Sequence, residues 1–346
     1  YIHTYMSIFE RLDDIFKKRI IILDGAMGTM IQKYDLKEED FRGDLYTEKH
    51  SENNILLKGN NDLLSITRPS IIKEIHRKYL EAGSDIIETN TFSGTSIAQQ
   101  DYLMEDRVYE INFTSAKIAK ELCVEYTKKN PDKPRFVAGA IGPTNRTLSI
   151  SPDVEKPEYR NVLWDDLVNS YTEQITALVD GGVDILMIET IFDTLNAKAA
   201  IYACLDYFEQ HNKKLPIIIS GTITDSSGRT LSGQTVEAFY ASVIHADPIC
   251  IGLNCALGAK AMLPHIRKLS EIAECYVHAY PNAGLPNTMG EYDQTPEMMT
   301  EVLDSFFDEN ILNTIEKFVK PKIYIFGELL PSTLTAQGIL TDIKFL

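Results

Sequence analysis

Two carboxylates and one thiol stand out because of where they fall. Glu189 ends DILMIET, a run that is apolar from Ile185 to Ile188. A carboxylate at the end of a buried strand costs several kcal/mol unless a cation or hydrogen-bond donors meet it. A substrate ammonium would serve, and so would a structural Lys or Arg. Asp24 holds the same place in ILDGAMGTM, where Gly25 and Gly28 would let backbone groups come close to a small ligand. An ordinary strand-to-loop turn capped by Asp24 is the alternative. DIIETNTF puts Glu88 and Thr89 at the matching position of another run. Cys255 follows PICIGLN and precedes ALGAKAML, which reads as a helix N-terminus. That setting favours the thiolate, the form that binds metal or attacks. A small apolar residue in the core is the commoner fate of a lone cysteine, and it suits Cys250 and Cys275. One thiolate does not make a catalytic zinc site, which needs about three protein ligands. His278 and Asn282 in VHAYPNAGLPN are the next candidates, with His278 read as a hydrogen-bonded wall residue.

The elements that must position these groups alternate regularly. Apolar, β-rich runs fall at 20–23, 85–89, 136–140, 184–189, 216–220, 249–254 and 276–279. They are nearly continuous, as expected of parallel strands buried on both faces. Helical stretches separate them at 70–82, 106–128, 164–180, 193–210, 235–245, 258–273 and 296–308. EAGSDIIET and DGGVDILMIET repeat one theme of helix end, glycine, Asp and strand. The pattern predicts a (β/α)8 TIM barrel, with a doubly wound sheet as the competitor. No GxGxxG follows the first strand, and polar residues end nearly every run, including Asn254. Both points favour the barrel, whose strand ends converge on one mouth. The eighth strand is expected to be atypical or incomplete, with Lys322–Phe326 the candidate for it. The divisions expected are an N-terminal extension and first helix at 1–19, the barrel at 20–313 and an atypical tail at 314–346.

Composition limits the partners. Lys and Arg number 34 against 50 Asp and Glu, a formal net charge of −16. Such a surface repels phosphate backbones and anionic lipid, so neither nucleic acid nor a membrane is expected as a partner. No apolar run approaches the roughly 20 residues that span a bilayer, and the first thirty residues lack the features of a signal peptide. The 5 cysteines include no CxxC, which fits a reducing compartment. A soluble, cytoplasmic protein is expected. Tyr1 to Tyr5 precede Met6 and the helix-like SIFERLDDIFKKR, and carry no functional information.

Taken together, the segments resemble a known family. ILDGAMGTMIQ, GNNDLLSITRP, EAGSDIIETNTFSGT, FVAGAIGPTNRTLSISPDVE, GGVDILMIETIFDTLNAKAA, SGTITDSSGRTLSGQT, IGLNCALGA and HAYPNAGLPN are similar to the N-terminal homocysteine-binding module of cobalamin-dependent methionine synthase. The resemblance runs from about Ile8 to Asn313, and it implies a (β/α)8 barrel. It also implies a methyltransferase that moves a methyl group from methylcobalamin to a zinc-activated homocysteine thiol, giving methionine. Under it Cys255 matches the first zinc thiolate. Asp24 and Glu189 match the carboxylates holding the substrate ammonium, with Gly25 beside the first, and Thr89 matches a residue near the substrate. The partners implied are homocysteine and the cobalamin- and folate-binding modules of a longer methionine synthase.

One departure stands against the family pattern. Its other two zinc thiolates are adjacent cysteines in a GGCCG segment expected shortly after Asn313, and no cysteine follows Cys275. The zinc site is therefore expected to be incomplete and turnover impaired. Two other readings remain at this stage: a non-catalytic amino-acid-binding barrel, and a standalone thiol methyltransferase using a small methyl donor.

Overall fold

In this computed structural model the described residues are 6–47, 55–224 and 227–282, with 295, 297, 298 and 301 beyond them; for 255–257 the description is of backbone alone. Helix α1 (Ile8–Phe16) starts from a capping box in which Ser7 and Glu10 satisfy each other's backbone amides. Six parallel strands follow in order: β1 (Ile86–Glu88), β2 (Phe136–Ile141), β3 (Ile185–Ile191), β4 (Ile217–Gly221), β5 (Cys250–Gly258) and β6 (Tyr276–Asn282). Each pairs with the next in sequence. The expected strand at 20–23 is reduced to one bridge, Leu23 to Ile86, with hydrogen bonds from Asp85 and Ile86 to the Ile22 carbonyl.

The larger connecting helices are α2 (Pro69–Ala82), α3 (Val108–Lys129), α4 (Trp164–Asp180), α5 (Thr194–His211), α6 (Val236–Val243) and α7 (Ala259–Ile272). Helix α2 has proline in its first turn and ends at Gly83, whose φ of 111° suits glycine. The expected helix at 235–245 divides into α6 and a short 3-10 turn at Ile244–Ala246. The sequence candidates at 296–308 and Lys322–Phe326 lie outside what is described, apart from 297, 298 and 301.

Strand residues alternate between two apolar clusters, as the two-residue period of a strand requires. Ile86, Phe136, Ala138, Ile185, Met187, Ile218, Cys250, Tyr276 and Tyr280 turn inward. Ile87, Val137, Leu186, Ile188, Ile219, Ile251 and Val277 turn outward against the helices. Leu12 and Phe16 of α1 join the inner set and plug one end of the barrel. Phe16 meets Tyr276 edge-on at 4.7 Å, and the Tyr276 hydroxyl donates to Asp13 at 2.6 Å. Burying a side chain such as Phe16 contributes about 1.5–3 kcal/mol.

The repeated Gly–x–Asp theme has a mechanical meaning. Asp85 and Asp184 stand at the feet of β1 and β3 and accept an amide from the preceding strand. Ile22 N–H donates to Asp85 and Val137 N–H to Asp184, both at 3.0 Å. Asp85 is buried and clasped by both terminal nitrogens of Arg19 at 2.7 Å, with Arg135 at 3.6 Å and Lys133 at 3.9 Å. Lys120 pairs with Asp184 at 2.6 Å. Removing the Asp85 carboxylate leaves the buried Arg135, and the partly exposed Arg19 and Lys133, without it. Asp85→Ala should lower unfolding free energy by roughly 3–5 kcal/mol in equilibrium denaturation. Asp14→Ala, which breaks a surface pair with Lys18, should leave the midpoint essentially unchanged.

Candidate active site

Asp24 lies at the end of the first strand segment and is 5% exposed. Both its carboxylate oxygens lie 3.1 Å from the Glu88 amide, which donates to them. Its own N–H donates to the Ile86 carbonyl at 2.9 Å. Burial pushes its pKa well above the usual carboxylate range, and the nearby charge of Glu189 pushes the same way. Gly25 follows, half-buried, in the turn before a short helix at Met27–Gln32.

Glu189 is brought to the same mouth by β3. It is 7% exposed, and the Tyr280 hydroxyl of β6 donates to its Oε2 at 3.3 Å. Strands β3 and β6 are three places apart in the sheet, so this contact is made across the curled barrel. The end of β3 is bulged: Ile188 pairs with Ile219 but Ile191 pairs with Gly221. Glu189 and Thr190 therefore share the space opposite Ser220, and Thr190 has a φ of 54°.

Thr89 is buried at the end of β1, where its hydroxyl accepts the Ala140 amide at 2.9 Å and lies 2.6 Å from the Thr91 hydroxyl. The loop after β1 is anchored from beneath. Asp62 accepts the Ser93 amide at 2.7 Å, and Asn60 and Gln99 exchange amide hydrogen bonds at 2.7 and 3.1 Å. Gln174 donates to the Thr91 carbonyl at 2.9 Å. The long loop after β2 is tied to the start of α5, where Asp193 accepts the Ser149 amide and hydroxyl at 2.9 and 2.7 Å.

Two sequence expectations change or sharpen here. The strand bearing Cys255 runs further than expected: β5 continues to Gly258, which pairs with Asn282, while α7 begins at Ala259, one residue after the expected start. The extra pairing with β6 carries the strand backbone past residue 255. The wall role expected of His278 is what is found. Its Nδ1 lies 3.3 Å from the Cys250 sulfur, and its ring stacks on Tyr280 at 5.5 Å. Burial lowers its pKa to about 3, so the imidazole is neutral. Gly252 makes room for it, since a Cβ there would lie 2.1 Å from the His278 carbonyl oxygen. Asn282 closes β6.

Sequence reasoning passed over Tyr280 and Asp62, and it noted Asn254 without a role. Tyr280 was accessible from the period of two, since it lies on the same face as His278. Asp62 carries no local signal, because its partner Ser93 comes from a distant loop. Among the described residues no three His, Cys, Asp or Glu side chains gather as a metal site.

Asp62 generates a pH prediction. Burial raises its pKa from 3.8 to about 7. Its contribution to stability is therefore complete below about pH 4, where the unfolded chain also binds the proton. That contribution is lost as pH rises through about 7. The stability difference between Asp62→Asn and the parent chain should grow in favour of the variant from pH 4 to pH 8, by a few kcal/mol, in urea titrations. A constant difference would remove the assigned burial effect.

Comparison with solved structures gives the fold independently. The metallated form of the homocysteine methyltransferase MmuM from Escherichia coli superposes with a TM-score of 0.70 at 18% identity, covering 96% of this chain and 99% of that one. Its oxidised form gives 0.70 at 17% identity, covering 97% and 100%. The apo form gives 0.64 at 16%, covering 95% and 98%. At these identities the likeness is one of fold, and with the parallel sheet described above it makes this chain an α/β protein of the TIM-barrel class. No helix among the described residues is long and apolar enough to cross a membrane. The family model described as homocysteine S-methyltransferase matches residues 21–316. The match spans most of the chain, from the first strand to beyond β6, and the chain belongs to the homocysteine S-methyltransferase family and is a methyltransferase.

Proposed function

We propose that this barrel binds homocysteine at its mouth as the homocysteine module of a methionine synthase, with methylcobalamin as the methyl donor. The observation that carries the reading is the pair Asp24 and Glu189, buried at one mouth on strands three places apart, each charge felt by the other. Two carboxylates in such a place are stabilised by a cation between them. The ammonium of an amino acid supplies it. Asp24 and Glu189 hold that ammonium, while Thr89 and the Gly25 turn form the wall beside it. The cobalamin and folate modules belong to a longer protein, and the compartment is the cytoplasm.

The binding step moves a proton. Burial raises the pKa of Asp24 in the empty barrel, and an arriving ammonium favours its ionised form, so binding is linked to loss of a proton from this carboxyl. Homocysteine affinity therefore rises with pH until Asp24 is already ionised without ligand.

Zinc is the element that the residues do not accommodate. Cys255 is the one cysteine matching the family's thiolates, no cysteine follows Cys275, and no described cluster replaces the missing pair. Homocysteine is an ordinary alkyl thiol, a few per cent ionised at pH 7 with a pKa near 8.5. Zinc, which would fix that sulfur in line with a donor, would then lack two of its three protein thiolates. A misplacement of about 1 Å costs on the order of a hundredfold in rate. This chain is accordingly a binder with impaired turnover.

The test uses calorimetry and a methyl-transfer assay. Homocysteine should bind the chain, more tightly at pH 8 than at pH 6, with that trend absent in Asp24→Asn. Methyl transfer from added methylcobalamin with zinc should be at least about a hundredfold faster once GGCCG is placed after Asn313. Equal rates from the two chains would overturn the impairment. No homocysteine binding by either would overturn the substrate assignment.

A further inference from the structure

The bulge that presents Glu189 is held by one side chain from another strand. Thr190 is β-branched, yet its φ is 54°. Non-glycine residues in that region are strained and persist only where their surroundings over-determine them. Asn254, on β5 and 1% exposed, provides the constraint. Its Nδ2 donates to the Thr190 hydroxyl at 2.8 Å, and its Oδ1 accepts the Thr190 amide at 3.1 Å. The same Oδ1 accepts the Ser220 hydroxyl at 2.6 Å. The Asn254 carbonyl accepts the Thr222 hydroxyl at 3.0 Å, so β4 is drawn into the same knot. Thr190 thus has both its amide and its hydroxyl committed to one amide group two strands away.

We propose that Asn254 is the positioning residue for Glu189, acting through the left-handed Thr190 to aim the carboxylate across the barrel at Tyr280 and the substrate ammonium. The proposal rests on the reading of Glu189 as the ammonium partner. Its physical basis is the register. One extra residue lies on β3 between Ile188 and Ile191. With Thr190 in the left-handed region, Glu189 faces inward while Ile191 returns to the outer cluster. Released from Asn254, Thr190 relaxes toward extended backbone, the extra residue redistributes along the strand, and the Glu189 carboxylate leaves Tyr280. Asn254 need not touch the ligand to do this.

Two ligands separate positioning from support of the fold: homocysteine, and 4-mercaptobutyrate, which keeps thiol and carboxylate but lacks the ammonium. Asn254→Ala should weaken homocysteine about 10- to 100-fold, the worth of a hydrogen bond to a charged group. It should leave 4-mercaptobutyrate unchanged. Adding Thr190→Gly, which adopts positive φ without strain, should restore homocysteine affinity in the Asn254→Ala background. Parallel losses for both ligands, or no restoration by glycine, would overturn the proposal. If Asn254→Ala does not fold, Ser220→Ala removes one partner of the same amide and should show the same ligand split at smaller amplitude. Equal homocysteine affinity in the parent and Glu189→Gln, or none in either, would defeat the ammonium reading instead. The crystal structure of Asn254→Ala then decides the positioning alone. Departure of Thr190 from positive φ, with Glu189 parted from Tyr280, supports it, and an unchanged bulge overturns it.

Discussion

Negative charge withheld from water is the constraint around which the mouth is built. Asp24 and Glu189 each face a desolvation cost that only donors or a cation can offset. The protein's own donors go part of the way. The Glu88 amide is given to Asp24, and the Tyr280 hydroxyl to Glu189. In the function proposed above, a ligand carrying positive charge adds to them. A barrel suits this arrangement because strands remote in order are near in space, and their ends meet inside a ring that excludes solvent. On the proposed reading, the same burial that makes the carboxylates costly makes a matching ammonium specific.

Beneath the mouth, the interior changes character layer by layer. The foot is closed by Leu12, Phe16 and Tyr276, with aliphatic residues of the strands around them. Above them Cys250 and His278 form a small polar contact in a space opened by Gly252. Higher still come Tyr280, Asn254, Glu189 and Asp24. Polarity rises toward the mouth, and each polar group described in those upper layers is tied to another strand. The anchoring aspartates at the other end, Asp85 and Asp184, use charge differently: they sit among cations and hold strand feet together.

Much of this was legible in the sequence, for a physical reason. Parallel strands buried on both faces must be apolar throughout, so a lone Asp24 or Glu189 at the end of such a run is conspicuous. The helix limits were equally plain where proline and glycine mark them, as in α2. Less legible were features fixed by contacts between distant segments. The bulge at Thr190 contradicts the preference of a β-branched residue, and only Asn254, 64 residues away, makes it tenable. Asp62 reads as an ordinary loop residue until Ser93 is placed on it. The strand at 249–254 was read as ending before Cys255 because local composition does not reveal that β6 prolongs β5 to Gly258. The missing cysteine pair was visible at once, since a ligand set is a matter of residue type before it is one of geometry.

The plug at the foot of the barrel has a consequence for the order in which the molecule can be made. Asp13 and Tyr276 touch but are 263 residues apart in the chain. At roughly 5–20 residues per second, a ribosome needs about 13–53 s to produce the second after the first. During that interval Leu12 and Phe16 have no floor of aromatic and aliphatic side chains to settle on, and the early strands have no closed interior. The nascent amphipathic helix spends the interval with its apolar stripe in search of cover, the condition that holding chaperones recognise. A contact of such long range is also slow to find by diffusion of the chain, because loop closure is unfavourable before the intervening units are folded. The first helix of the chain is therefore among the last pieces to dock.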